Sequence, residues 1–147
     1  MSFIISYFSY QSLFAFSYKF LILVVLISGG YWSSSTATVE IYNPATNTGY
    51  SLPQSFEARY WHTQDGGLVC GGGAAAGHSP FSCDKWNSDS GTWTQSHTLR
   101  HVRQAHVSWE TENGVYLMGG WHSKNSTELV KKDGTVEDGF SLKYDTE

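Results

Sequence analysis

Short runs of β-branched, aromatic and other apolar residues, bounded by Gly, Asn, Asp, Ser or Pro, recur from about residue 24 to the C-terminus. Three of these runs end in a glycine doublet: Leu-Ile-Ser before Gly29-Gly30, Leu-Val-Cys before Gly71-Gly72, and Val-Tyr-Leu-Met before Gly119-Gly120. A short apolar run between turn signals reads as a buried strand. Glycine after such a strand permits positive φ and lets the backbone turn where a side chain would collide with a neighbour. The pattern predicts an all-β chain of short strands.

The doublets are 42 and 48 residues apart, and other landmarks recur in step. Arg59-Tyr-Trp-His62 and Arg103-Gln-Ala-His106 are one Arg-x-x-His pattern 44 residues apart, each ahead of a doublet. Aromatic pairs follow across a turn, Tyr42 with Tyr50 and Trp86 with Trp93. A third copy keeps the turn, with Asp133-Gly134-Thr135 answering to Ser90-Gly91-Thr92, but has Leu129 and Val136 where the tryptophans stood. Leu99-Arg100 answers in turn to Leu142-Lys143. Asn43-Pro44 to Gly49, Asp89-Ser-Gly91 and Asp133-Gly134 supply hairpin turns between a third and a fourth strand of each unit. A fixed period of this length is the mark of propeller blades.

An apolar strand, a Gly-Gly doublet, a later aromatic and then Trp after a short turn is similar to the kelch repeat, over roughly residues 24 to 144. The resemblance implies a partial kelch-type β-propeller of about three four-stranded antiparallel blades. It divides the chain into a hydrophobic lead, 1–23, a partial first repeat, 24–57, and two further repeats, 58–101 and 102–147. Closed propellers hold about four to eight blades, so three imply open ends and possible self-association through blade edges. The competing WD40 pattern lacks its Trp-Asp dipeptide here, and the Asp-box resembled by Asn87-x-Asp89-x-Gly91 does not recur.

The lead is apolar and aromatic with Lys19 as its only charge. Residues 20–27 have the length of a signal-peptide core, followed by Ser28, Gly29 and Gly30, although a positive n-region is nearly absent. The segment is also long enough for a membrane anchor. A third reading makes 24–28 a buried strand, and the repeat pattern favours it.

Composition narrows the function classes. Aromatic residues make up 16% of the chain and glycines number 15, as expected of short strands packed through large flat side chains. A formal net charge of -4, with 9 Lys and Arg against 13 Asp and Glu, offers no basic surface for a phosphate backbone, so nucleic acid is not an expected partner. A membrane is expected only through the lead.

Cys70 and Cys83 stand in neighbouring candidate strands, where a short disulfide loop and two buried thiols are both open readings. Asn125-Ser126-Thr127 is a formal N-glycosylation acceptor. Together with the lead, these favour a secreted or membrane-anchored protein over a cytoplasmic one. His97, His101 and His106 lack Cys or carboxylate partners at ligand spacing, so no metal or cofactor is expected. Recurrence of Arg59, His62, Arg103 and His106 points to a structural task, hydrogen bonding between blades with Arg reaching backbone carbonyls.

No acid, base and nucleophile converge in the sequence. The expected function is therefore non-catalytic binding of a protein or glycan through inter-strand loops, with candidate contacts at His78, Trp121, His122 and Lys124. The alternative is part of a propeller enzyme resembling galactose oxidases or sialic-acid mutarotases, and fold alone does not decide between them.

Overall fold

The computed structural model describes residues 2–10, 22–31, 35–55, 57–65, 67–74 and 80–143. They form twelve strands in three four-stranded antiparallel sheets, each following chain order. Sheet 1 holds β1 (Ser2–Tyr10), β2 (Ile22–Tyr31), β3 (Val39–Asn43) and β4 (Thr48–Leu52). Sheet 2 holds β5 (Thr63–Asp65), β6 (Leu68–Cys70), β7 (Ser82–Asn87) and β8 (Thr92–Thr98). Sheet 3 holds β9 (Val107–Thr111), β10 (Gly114–Met118), β11 (Thr127–Lys131) and β12 (Val136–Asp138). The first strands of successive sheets, β1 with β5 and β5 with β9, approach each other, so the sheets stand side by side as an arc.

The expected lead, 1–23, contains a strand. Ser2–Tyr10 is β1, pairing along β2 from Tyr10 opposite Ile22 to Ser2 opposite Tyr31. Its β-branched and aromatic residues favour the pleated state, and its pairing completes the first sheet, which the repeat spacing had left partial. Among the described residues no helix is long and apolar enough to cross a membrane.

Within each sheet the third and fourth strands are closed by a turn anchored on a short polar side chain. Asn43 Oδ1 accepts the Ala45 N–H at 2.9 Å, Asn87 Oδ1 that of Asp89 at 2.9 Å, and Asp133 Oδ1 that of Thr135 at 2.9 Å. These side chains mimic a backbone turn and fix the hairpin locally.

Register separates the aromatic pairs that spacing had equated. Trp86 stands opposite Trp93, with ring centroids 5.3 Å apart. Tyr42 instead faces Gly49, and Tyr50 faces Ile41; Leu129 faces Glu137, and Val136 faces Val130. Side chains alternate along a strand, so one residue of mismatch moves a partner to the other face.

Two apolar clusters fill the spaces between sheets. Leu26 and Val39 of sheet 1 meet Val69 and Trp93 of sheet 2, with Ile41, Leu52 and Trp86 at the margin. Leu68, Cys70, Cys83 and Leu99 meet Val115, Leu117 and Val130 of sheet 3. Trp93 adds a polar tie, its indole Nε1–H donating to Pro53 O at 2.8 Å.

Cys70 and Cys83 are bonded as a disulfide across directly paired positions of β6 and β7. Both sulfurs lie in the cluster between sheets 2 and 3. Chain-entropy arguments assign a loop of this size, closed by cysteines at a sequence separation of 13, about 3 kcal/mol of stabilisation.

Candidate binding rim

Two arginines hold the rim together. Arg59, 1% exposed, donates from Nη1 to Gly71 O at 3.0 Å and Ser82 O at 2.9 Å, and from Nη2 to Ser82 Oγ at 2.7 Å and Asp84 Oδ2 at 3.3 Å. Arg103 repeats this in sheet 3: Nη1 to Gly119 O at 3.0 Å and Ser126 O at 2.9 Å, Nη2 to Ser126 Oγ at 3.0 Å and Glu128 Oε1 at 3.1 Å. Each guanidinium thus ties the end of a sheet's second strand to the start of its third, next to a buried carboxylate. The planar fork suits such a site, since one side chain satisfies several fixed acceptors.

The histidines reach the other way, into the preceding sheet. His62 Nε2 is 3.1 Å from Ser28 Oγ of β2, and His106 Nε2 is 2.8 Å from Thr63 Oγ1 of β5. The Ser28 hydroxyl proton is directed to Gln64 Oε1, so the proton between Ser28 and His62 belongs to the imidazole. Nδ1 of both rings is buried without a hydrogen-bond partner. Burial first, and the neighbouring Arg59 or Arg103 second, push His62 and His106 down to about 3, so both rings are neutral at ordinary pH.

The first glycine of each doublet makes room for these rings. A Cβ on Gly29 would lie 2.7 Å from His62 Cε1 and 2.6 Å from Arg59 O; on Gly71 it would lie 3.0 Å from His106 Cε1 and 2.8 Å from Arg103 O. The second glycines donate N–H to those carbonyls, Gly30 to Arg59 O and Gly72 to Arg103 O, each at 2.8 Å. Doublet, arginine and histidine therefore form one joint, made twice.

Around these joints stands a row of aromatic rings. Tyr31 meets Tyr60 with centroids 5.1 Å apart, Tyr60 meets Trp61 at 5.2 Å, and Trp61 meets Trp121 at 5.4 Å, all edge to face. Tyr31 is 49% exposed, Trp61 41% and Trp121 56%, with Tyr60 half-buried between them, so the row spans all three sheets and three of its four rings are open to solvent. Trp61 holds φ at 53° and Ala105, its counterpart in sheet 3, at 49°. The left-handed region is costly for a bulky residue. The local chain path demands this backbone conformation, yet sheet 2 fills the position with an exposed tryptophan.

Of the loop residues expected to make contacts, Trp121 belongs to the row, while His122 and Lys124 are exposed beside it. His78 lies outside the described residues. Asn125 is exposed in the same turn, its carbonyl accepting the Leu142 N–H at 2.8 Å. Tyr31, Tyr60 and Trp61 were not expected as contacts. Their signal was present, since Tyr31 follows the first doublet as Trp121 follows the third, and Tyr60-Trp61 occupy the variable centre of Arg-x-x-His.

His101 sits apart, its Nε2 3.5 Å from Asp138 Oδ1, and His97 lies against the β11–β12 turn. Among the described residues no three His, Cys, Asp or Glu side chains stand together as a metal site.

No family model and no curated protein matches the chain. Among solved structures, that of YjhT superposes with a TM-score of 0.68 at 12% sequence identity, covering 81% of this chain and 49% of that one. The likeness shows a β-propeller-like fold, open in this chain, which spans about half the length of that neighbour.

Proposed function

We propose that this chain is a non-catalytic interaction module of kelch type that takes a protein or glycan ligand on its aromatic rim. The observation that carries the reading is the exposed Tyr31–Tyr60–Trp61–Trp121 row. Tyrosine and tryptophan offer large rigid contact area with a polar handle, and aromatic anchors of this kind dominate binding energies. None of the four rings belongs to the two clusters between the sheets, and Trp61 carries a backbone cost that a smaller residue would reduce. The loops that bear the row are held in place by the arginine and histidine joints, so the platform is formed before a ligand arrives.

An extracellular setting accords with this role. The Cys70–Cys83 disulfide persists in oxidising surroundings, and Asn125 is exposed where a glycan could be attached.

The test is a screen of the intact chain on glycan and peptide arrays, with hits followed by tryptophan fluorescence titration. Trp61→Ala with Trp121→Ala is expected to weaken any genuine ligand at least tenfold while leaving the circular dichroism spectrum unchanged. Alanine already occupies the left-handed position at Ala105, so Trp61→Ala should not disturb the backbone. Unchanged affinity in the double variant would remove the rim as the site.

A further inference from the structure

We propose that Asn125 is an acceptor for an N-linked glycan and that the attached sugars cover the Trp121 end of the aromatic row. The attachment is independent of what the rim binds, while its consequence for ligand access rests on the reading of the rim as a binding surface.

Asn125-Ser126-Thr127 is the one Asn-x-Ser/Thr sequence among the chain's five asparagines. The fold accounts for its second and third residues by other means. Ser126 supplies carbonyl and hydroxyl oxygens to the Arg103 guanidinium, as Ser82 does to Arg59, and Thr127 Oγ1 donates to Phe140 O at 2.6 Å. The Asn125 side chain has no such task. Its carbonyl accepts the Leu142 N–H, and the same bond in sheet 2 runs from the Leu99 N–H to Phe81 O, so the position needs a backbone and not an amide. Phe81 is 52% exposed and Asn125 is exposed in its place, making no side-chain hydrogen bond among the described residues. An amide that the fold neither uses nor covers is open to carry a substituent.

In the transfer, Asn125 Nδ2 forms a bond to the anomeric carbon of an oligosaccharide carried on a polyprenyl pyrophosphate. The bond from that carbon to the pyrophosphate oxygen breaks, the lipid pyrophosphate leaves with the electron pair, and Nδ2 gives up one proton. The acceptor sequence includes the hydroxyl two residues on. In the folded chain Thr127 is 2% exposed, stands opposite Met118 at the start of β11 and is bonded to Phe140 O. Transfer therefore precedes the closure of sheet 3, and the completed fold retains the glycan because Asn125 stays outside.

The turn that bears Asn125 is short and pinned. The Gly119 N–H donates to Ser126 O at 3.0 Å, the Ser123 N–H to Gly120 O at 3.3 Å and the Ser126 N–H to Ser123 O at 3.2 Å, so the chain from 119 to 126 folds back on itself. Ser123 Oγ fastens the turn to Val102 O at 2.9 Å, and the Trp121 N–H fastens it to Gln104 O at 2.8 Å. Trp121, 56% exposed, and Asn125 thus leave one fixed turn four residues apart. A bulky glycan anchored there occupies the solvent in front of the indole, and the C–H faces of its sugars offer apolar surface to the ring. Tyr31 and Trp61, borne by sheets 1 and 2, lie farther along the row and stay open.

The experiment expresses the full chain behind a cleavable secretion leader in eukaryotic cells, with peptide mass mapping before and after enzymatic glycan release, which converts a glycosylated Asn to Asp. Asn125 is expected to be occupied, and Asn125→Gln is expected to fold and to carry no glycan. Chain folded without glycan in a bacterial host is expected to stay unmodified when offered the transferase and its lipid-linked donor, and to become an acceptor once unfolded. Hydroxyl-radical footprinting then compares the glycosylated parent with Asn125→Gln. Oxidation of Trp121 is expected to be several-fold lower in the parent, with Trp109, 62% exposed on β9, oxidised equally in both. A secreted chain with Asn125 unmodified would overturn the inference, as would modification of the folded chain or equal oxidation of Trp121 in the two forms. None of these readouts needs a ligand, so failure here is distinct from failure of the rim reading, which the Trp61→Ala with Trp121→Ala titration decides.

Discussion

Arg103→Met is expected to destabilise the chain by about 3–5 kcal/mol, the penalty for leaving a buried carboxylate without its counter-charge. Arg103 and Glu128 are both 0% exposed, and the guanidinium also supplies the donors for Gly119 O, Ser126 O and Ser126 Oγ. A loss of this size is comparable to the total stability of a small domain, so the variant should be largely unfolded in urea concentrations the parent tolerates. Glu128 keeps other partners when Arg103 is gone, accepting the His101 N–H at 2.8 Å and the Arg100 N–H at 3.1 Å. Neutralising it as Arg103→Met with Glu128→Gln should recover about 1 kcal/mol relative to the single variant, since the unpaired charge is removed although the amide oxygen can accept from only one of those two N–H groups. Equilibrium urea unfolding measures both differences. A single variant as stable as the parent would show that the clamp contributes nothing net.

Acid should unfold the protein well above the pH at which its buried histidines would titrate in place. His62 and His106 are lowered from 6.5 to about 3, so the folded chain declines protons that the unfolded chain accepts. Their contribution is fully present above about pH 6.5 and is lost as pH falls from there toward about 3. At pH 5 each histidine costs about 2 kcal/mol, taking 1.36 kcal/mol per pH unit, so the two together remove about 4 kcal/mol. His97, lowered by partial burial and by Lys85, acts in the same direction. The measurement is unfolding free energy against pH between 8 and about 4.5, whose slope counts protons taken up on unfolding. His106→Gln should reduce that slope by about one proton in the acid range. A flat profile from pH 7 to 5 would mean that the rings are charged and solvated in the folded state.

Much of the architecture is legible in the sequence because local chemistry dictates it. The second and third glycine doublets directly follow β6 and β10, the first lies within the last residues of β2, and Asn43, Asn87 and Asp133 each close a hairpin with their own side chains. These are short-range effects, and one sequence displays them. Register is less visible. Tyr42 and Tyr50 resemble Trp86 and Trp93 in order, but they are separated by one residue more, and that residue sends them to different faces. Strand β1 was hidden by its composition, since Phe3-Ile4-Ile5 and Tyr7-Phe8 give no strict alternation and read equally as an apolar leader.

The rim was legible only in part. Trp121 stands out as an aromatic in a loop, whereas the row arises from side chains at 31, 60, 61 and 121 brought side by side by the stacking of three sheets. No local pattern reports a contact between residues that far apart in the chain. The repeated arginines and histidines could be singled out by spacing, but that each histidine lodges beside a glycine of the preceding sheet follows from the tertiary arrangement.

The joints also set how the chain comes apart. Among the described residues sheet 2 is packed on both faces, by Leu26 and Val39 on one side and by Val115, Leu117 and Val130 on the other, and it carries the disulfide. Among the described residues the two clusters join sheet 1 to sheet 2 and sheet 2 to sheet 3, so stability passes along the arc by nearest-neighbour coupling, as in solenoid arrays. Opening then begins at the ends and moves inward, and amide protons of β6 and β7 exchange last. The middle sheet is the keystone of the arc: the outer two can fray from it, but both apolar clusters are lost without it.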